Sequence, residues 1–372
     1  MTRPHLLACL CCSITVIGCI DTSLPDLSEQ LGSGPTDGVY CSATELEVFP
    51  EETLRIHIID VGQGDAIWVQ TPYYTDQETE SRNVLIDAGP TSLDGASNTS
   101  PGGTVVVDYL LQRGLQGGDA LDAVVVTHAH IDHYGGVEVV GAMFEILRYV
   151  DPGSQSAGLY YPRQAASESN ALNLFPAHGE LVDDLGDDTD LFGPYVTSQL
   201  LWSSDDLCWA NTGDSCSADN ASGTQINNTS VVLTAEWAGR RALFMGDAES
   251  EVEQHLVERV RQGEFSLLQA DILKVGHHGS ATSSTDEFLE YVFPTANDPN
   301  NWAFISSGRK FFGSTQLPAT ETIERLKDRV PEYHLLSTEN RDGDVGEGDE
   351  HGDDHIVVTI DIAGTIRACY AR

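Results

Sequence analysis

Four short apolar runs in this chain each stop at a side chain that can bind a metal ion. Asn83-Val84-Leu85-Ile86 runs into Asp87, and Ala123 to Thr127 runs into His128. Arg241 to Met245 runs into Gly246-Asp247, and Ile272 to Val275 runs into Gly276-His277-His278-Gly279-Ser280. Short aliphatic runs bounded by turn residues read as buried strands. Open α/β sheets gather their functional groups beyond the carboxyl ends of such strands. A single strand-end Asp is commonly a helix cap. Four ligand-bearing strand ends together predict one crevice.

Leu54–Ile59, Ala66–Gln70, Ser230–Trp237 and Trp302–Ile305 read as further strands. Val105–Gln112, Val137–Phe144, Ser250–Arg261, Ser284–Val292 and Thr320–Val330 read as helices, the last with Ile323, Leu326 and Val330 at helical spacing. Strands alternating with helices, with some hairpin-like pairs, predict an α/β layered fold. Two segments read as insertions: about 151–222, rich in Asp, Ser, Asn and Gly, and the acidic run 339–354. That run could bind Ca²⁺ through oxygen ligands but lacks EF-hand spacing. A solvated loop with His351 and His355 exposed is the better reading.

The densest chemistry is Thr127-His128-Ala129-His130-Ile131-Asp132-His133-Tyr134-Gly135-Gly136, with three His and one Asp within six residues. Imidazole and carboxylate suit Zn²⁺, though Mn²⁺ or Fe could occupy the same ligands. In a turn leaving a strand, residues i and i+2 reach one metal while Asp132 and His133 face a second. A lone His is usually structural; four ligand-type residues at this spacing indicate a metal site.

Of the 372 residues, 58 are acidic and 19 basic, a formal charge of −39. So negative a surface repels phosphate backbones, which argues against nucleic acid as the main partner unless a local basic site overrides the field. Arg309 and Lys310, following Trp302–Ile305 through Ser306-Ser307-Gly308, could receive an anionic substrate group. An ordinary solvated loop is the alternative. Lys274 reads as a supporting or core-rim residue rather than a catalytic one.

Arg3 and His5 precede an apolar run, Leu6 to Ile20, shorter than the roughly 20 residues of a membrane-spanning helix and suited to a signal peptide. The run ends Val16-Ile17-Gly18-Cys19, which resembles a bacterial lipobox with Cys19 as the lipidated residue. A plain secretory signal is the alternative. The expected organisation is a signal at 1–18, a flexible tether at 19–52 and one folded domain at 53–372. An exported, envelope-anchored chain can keep disulfides. Cys208 and Cys216 flank a short polar loop and are expected to pair, leaving Cys41 and Cys369 to tie the domain's ends. Free thiols are the alternative.

His128-x-His130-x-Asp132-His133, with Asp87 upstream and Asp247 and His277-His278 downstream, resembles the metallo-β-lactamase fold superfamily. Ile59-Asp60-Val61-Gly62-Gln63-Gly64-Asp65-Ala66, Asn227-Asn228-Thr229-Ser230, Gly246-Asp247 and Gly276-His277-His278-Gly279-Ser280 are similar, more narrowly, to the soluble domain of ComEC/Rec2-type competence proteins. The likeness runs from about residue 53 to 370 and concerns the hydrolytic domain only, not the many membrane helices of competence proteins. It implies an αββα sandwich holding two zinc ions, with a hydroxide between them attacking the substrate. By position, His128 and His130 would hold the first ion and Asp132 and His133 the second. Asp247 would bridge, and His277 would complete the second site, with His278 orienting substrate or donating a proton. Asp87 would orient a ligand His. The family often has another His before the bridging Asp; His178 is the candidate here, and water or substrate could fill the place instead. The expected function is hydrolysis of a phosphodiester or phosphate ester in a small or surface-bound molecule. Alternatives are a nuclease, a lactamase or other amide hydrolase, and a non-catalytic metal-stabilised surface lipoprotein. The oligomeric state is left open.

Overall fold

The strands are apolar on successive residues because both of their faces are covered. The computed structural model describes residues 40–42, 46, 52–74, 81–91, 102–176, 191–209, 220–263, 268–308, 311–312, 315–338 and 355–371. Strands β1 (Leu54–Ile58), β2 (Ile67–Gln70), β3 (Asn83–Ile86), β4 (Ala123–Val125), β5 (Arg148–Val150) and β6 (Leu172–Leu174) lie side by side in one sheet. Strands β7 (Thr197–Trp202), β8 (Val232–Trp237), β9 (Arg240–Phe244), β10 (Ile272–Lys274), β11 (Trp302–Ile305) and β12 (Leu335–Ser337) form a second. The hairpin β13 (His355–Ile360) and β14 (Ile366–Ala371) returns to the first sheet beside β1.

Side chains alternate across a strand with period two. Ile56, Ile58, Val84, Ile86 and Val125 face Leu233, Ala235, Phe244, Ile272 and Phe304 of the second sheet in a shared core. Their neighbours Leu85, Val124 and Val126 pack outward with Val106 and Leu110 of α1 (Gly102–Gln112) and, beyond the short α2 (Ile131–Tyr134), with Val137 and Val140 of α3 (Val137–Met143). Beyond α4 (Tyr160–Glu168) and α5 (Gly223–Asn227), three helices cover the second sheet. Leu243, Leu273, Ala303 and Ile305 pack there with Leu256 of α6 (Ser250–Arg261), Phe288 of α7 (Asp286–Val292) and Ile323 of α8 (Thr320–Lys327). The layering is αββα, as expected.

β3 to β6 are mutually parallel, and so are β9 to β12. Loops from both blocks meet at one edge of the sandwich. Asp65, in the loop between β1 and β2, donates its N–H to Asp132 O at 3.2 Å and accepts from Lys274 Nζ of β10 at 2.7 Å.

Two expectations are corrected. The segment 151–222 is not wholly an insertion: it contributes β6 and α4 to the first half and β7, the edge strand of the second sheet. His355 is not exposed. It opens β13, is buried, and its Nδ1 accepts from Asp60 N at 3.0 Å, because it stands in register with Ala371 of β14 on a strand that pairs with β1. Cys19, His178, Cys216, Arg309, Lys310, His351, the signal region, most of the tether and the run 339–354 lie outside the described residues. Among the described residues, no helix is long and apolar enough to cross a membrane.

Cys41 and Cys369 form a disulfide across 328 residues, and Cys41 N donates to Tyr370 O at 2.8 Å. Cys208 is also disulfide-bonded. Closing so long a loop chiefly restricts the unfolded chain, by about 2–5 kcal/mol. Cys41→Ser is therefore expected to lower the thermal midpoint by several degrees under non-reducing conditions. Calorimetry with and without reductant checks this: an unchanged midpoint would show that the crosslink contributes nothing.

Candidate metal centre

Each strand end delivers its side chain through a short turn. β4 ends at Val125, and the chain leaves through Thr127 with His128 fully buried and His130 partly so. His130 caps α2, whose first turn carries Asp132 and whose buried residue is His133. The extended stretch puts His128 and His130 on one side, with His128 Nε2 3.0 Å from His130 Nδ1. The helical turn then swings Asp132 and His133 to the other. After β9, Gly246 takes a left-handed φ of 53°, and a Cβ there would sit 2.9 Å from Thr127 Cβ. Only glycine lets the turn approach Thr127 so closely, and the turn delivers Asp247.

The four ends converge. Asp247 Oδ2 lies 3.6 Å from His128 Nε2, and its Oδ1 lies 3.3 Å from His133 Nε2. His278 Nε2 is 3.3 Å from His133 Nε2 and 3.5 Å from both Asp132 Oδ2 and Asp247 Oδ2. Two adjoining groups could therefore each hold a cation: His128, His130 and Asp247, and Asp132, His133 and His278.

Of the two downstream histidines, the structure brings the other one inward from that expected. His278, not His277, enters the cluster. Both have left-handed backbone, φ 47° at His277 and 50° at His278, so the alternation of β10 does not continue through them. The turn drives His278 inward, while His277 stands at the rim with its side chain 22% exposed.

The outer nitrogen of each buried ring is spoken for. Asp87, fully buried, accepts from Thr127 N at 2.8 Å and Thr127 Oγ1 at 2.7 Å, and meets His133 Nδ1 at 2.7 Å. It thus occupies the expected place beside a ligand-type His. Thr127 Oγ1, already donating to Asp87, can accept from His128 Nδ1 at 3.1 Å. Ser306 O, which can only accept, receives the Nδ1–H of His278 at 2.9 Å. In neutral rings these bonds leave the Nε2 lone pairs of His133 and His278 bare, 3.3 Å apart and facing Asp247, while that of His128 meets His130 Nδ1 at 3.0 Å. Asp247 Oδ1 is buried without a hydrogen-bond partner among the described residues. Converging lone pairs and an orphaned carboxylate oxygen repel unless a proton or cation lies between them, so the donor set fits metal ions.

The electrostatics of the cluster favour positive charge in the same place. Burial opposes charge on His133, yet the Asp247 and Asp87 carboxylates raise its pKa well above the ordinary value. Burial likewise opposes charge on His278, but Asp247, Asp132 and Asp65 push it up to about 10. Burial favours the acid form of Asp247, and His133 and His278 nevertheless hold it well below the usual carboxylate range. His128, in contrast, is held well below the imidazole range by burial and by His133.

Asp65 had no assigned role from sequence. It is buried, its Oδ1 lies 3.4 Å from His278 Nδ1, and Lys274 Nζ donates to its Oδ2. Lys274 accordingly supports the site. Gly62-Gln63-Gly64-Asp65, a turn ending in a carboxylate after an apolar run, carried the available signal.

Residues 59–197 match the family model described as the metallo-beta-lactamase superfamily. ComE operon protein 3 of Bacillus subtilis (strain 168) is 28% identical over 285 residues, covering 74% of this chain and 31% of that protein. Recombination protein 2 of Haemophilus influenzae is 24% identical over 274 residues, covering 74% of this chain and 26% of that protein. Competence protein ComA of Neisseria gonorrhoeae is 24% identical over 293 residues, covering 79% and 32%. The chain thus spans about a third or less of the curated relatives it matches. The crystal structure of the metallo-beta-lactamase fold protein YhfI from Bacillus subtilis aligns with 77% of this chain and 97% of its own, at 9% identity and TM-score 0.40. The family-model match makes residues 59–197 a metallo-β-lactamase superfamily domain.

Proposed function

We propose that this protein is a dinuclear, zinc-dependent hydrolase of phosphodiester or phosphate-ester bonds, exported and anchored through Cys19. The observation that carries the reading is the pair of three-residue ligand groups meeting at Asp247. His128, His130 and Asp247 would hold one cation; Asp132, His133 and His278 the other, with Asp247 reaching both. Bound cations of this kind supply an activated water and stabilise negative charge as it develops. Asp87 and Ser306 hold the His133 and His278 rings so that Nε2 faces inward.

Charge favours an anionic ester over a neutral amide. Asp65, Asp87, Asp132 and Asp247 against Lys274 leave three net negative charges. Two divalent cations bring the cluster to a surplus of one positive charge, so the cleft attracts an anion where the bare carboxylates would repel one. The global charge of −39 favours a small or surface-bound ester over a long nucleic acid. The Cys41–Cys369 disulfide is consistent with export, because such bonds persist in oxidising compartments.

The test is a panel of bis-p-nitrophenyl phosphate, p-nitrophenyl phosphorylcholine, nitrocefin and DNA. Hydrolysis of the phosphodiester probes is expected, with loss on chelation and recovery with Zn²⁺. Asp132→Ala should lower the rate at least roughly a hundredfold, since even an outer partner of a ligand is typically worth 10–100-fold. Turnover of nitrocefin alone would make the protein an amide hydrolase, and cleavage of DNA alone a nuclease. Inactivity with two metals per chain would make it a non-catalytic surface protein.

A second outcome concerns pH. His133 and His278 carry protons in the metal-free site, with His278 pushed up to about 10, so cations must displace them. Zn²⁺ uptake near neutrality is expected to release protons, and its apparent affinity to fall as pH drops. Calorimetric titration in buffers of different ionisation enthalpy reads this directly, and proton-neutral uptake would contradict it.

A further inference from the structure

Single apolar side chains scattered over a surface are ordinary, but several beside a functional cleft mark a contact. Ile131 stands between the ligand-type residues His130 and Asp132 and is 52% exposed. It opens α2 with Tyr134 three residues on, so the two share a helix face while His133 points inward. The Tyr134 ring lies over the turn Ala157–Leu159. A Cβ on Gly158 would come within 2.8 Å of Tyr134 Cε1 and of Ala129 O, so glycine lets that turn rest directly on the metal-binding loop. Burial first, then the Tyr161 hydroxyl and the Asp132 carboxylate, raise the Tyr134 phenol above its ordinary value, as expected for a ring standing between them.

α4 begins immediately after that turn, and its first two residues are Tyr160 and Tyr161, 65% and 58% exposed. Pro162, Ala165 and Ala166 form the buried side of the helix, so its packing does not need the tyrosines. Their rings meet edge to face, with centroids 5.5 Å apart and planes at 83°. The helix is fixed in place. Asp151, buried just past the end of β5, accepts from Arg163 Nε and Nη2 at 2.7 Å each, and Arg163 Nη2 also donates to Ser154 O at 3.0 Å. A bidentate guanidinium–carboxylate pair sets direction as well as distance. β5 is parallel to β4, so Asp151 and His128 leave the sheet at the same edge. Two large rings are thus held in water beside the metal centre, and they forgo the gain of burial unless an apolar ligand covers them.

We propose that Ile131, Tyr160 and Tyr161 form an apolar wall that receives the hydrocarbon part of an amphiphilic phosphoester whose phosphate group lies at the metal centre. The inference deepens the phosphoester reading above and rests on it. Continuity selects the occupant. Ile131 is flanked in sequence by two ligand-type residues, so a chain lying on it is joined to a group within reach of the cations. An edge-to-face pair presents a ridge, along which an aliphatic chain can lie, whereas a nucleobase stacks on a flat ring face. No bond forms or breaks at the wall, which acts on affinity alone.

The test measures calorimetric binding of methyl phosphate and of octyl phosphate, the latter below its micelle concentration, to the zinc-loaded full chain. Octyl phosphate is expected to bind about tenfold tighter or more, since each fully buried methylene is worth roughly fourfold. In Tyr160→Ser/Tyr161→Ser, with metal content as the check on folding, that preference should fall severalfold. Tyr160→Phe/Tyr161→Phe, which keeps the rings, should retain it. Equal binding of the two phosphates by the wild type, binding of neither, or a preference that survives the serine pair overturns the proposal. Loss of the preference in the phenylalanine pair, or loss of metal from the serine pair, does so too. Tighter binding of adenosine monophosphate than of octyl phosphate would make the tyrosines a stacking surface for a base, and a dimer that the serine pair dissociates would make them a contact between copies; either overturns it. Hydrolysis is read separately with methyl and octyl p-nitrophenyl phosphate. If the binding preference holds but neither ester is cleaved, the hydrolase reading falls and the apolar wall stands.

Discussion

Carboxylates gathered in one seam between two sheets are the constraint on which the rest of this structure depends. Asp65, Asp87 and Asp247 are almost wholly removed from solvent, and Asp132 is largely so. Isolated buried carboxylates are too costly to keep ionised. Each must therefore find a cation, a donor or a proton. Lys274 meets Asp65, Thr127 and His133 meet Asp87, and Asp247 faces His133 and His278, both of which it pushes toward the charged form. Removing one partner of such a set costs more than the set contributes as a whole, because the remaining charge stays buried.

The backbone is shaped around that seam. Gly64 permits the first loop to lie against the metal-binding loop: a Cβ there would come within 2.4 Å of Asp132 O. On the other side, Glu253 of α6 accepts from Ser284 N, Thr285 N and Thr285 Oγ1, fixing the end of the loop that carries His278. Burial pushes Glu253 up to about 7. Its folded pKa exceeds its unfolded one, so its contribution to stability is full in acid and is lost as pH rises through about 7. The loop is thus held by a group whose cost is felt in the neutral and alkaline range.

How far the site was legible follows from the same geometry. Strand ends were legible because doubly covered strands are apolar on every residue and stop where the polar crevice begins, as at Ile86 before Asp87 and Phe244 before Asp247. The choice between His277 and His278 was not, since it depends on a left-handed turn that neither side chain announces. The Lys274–Asp65 pair joins residues 209 apart and leaves no local pattern. Asn227 was legible as the first residue of the Asn227-Asn228-Thr229-Ser230 motif, but its burial and its hydrogen bond to Glu249 were not. In the fold, β6 was missed because Leu172 and Asn173 are exposed and the strand lacks an apolar face. β7 was missed because Asp-, Ser- and Gly-rich flanks hide an edge strand whose first residues face solvent.

On the proposed reading the cation-loaded site and the acidic surface carry opposite signs, and distance separates their effects. Exposed charges are screened beyond about 8 Å at physiological ionic strength. A small diester entering the cleft would therefore respond mainly to the cation-loaded cluster within a few ångströms. A nucleic acid would have to lay many phosphates against a chain in which acidic residues outnumber basic ones three to one. Its attraction to the site is confined to one or two phosphates, while repulsion accumulates along its length and weakens only as salt rises. On the proposed reading, charge acts as a filter on substrate length, admitting the anion at the centre and rejecting the polymer that carries it.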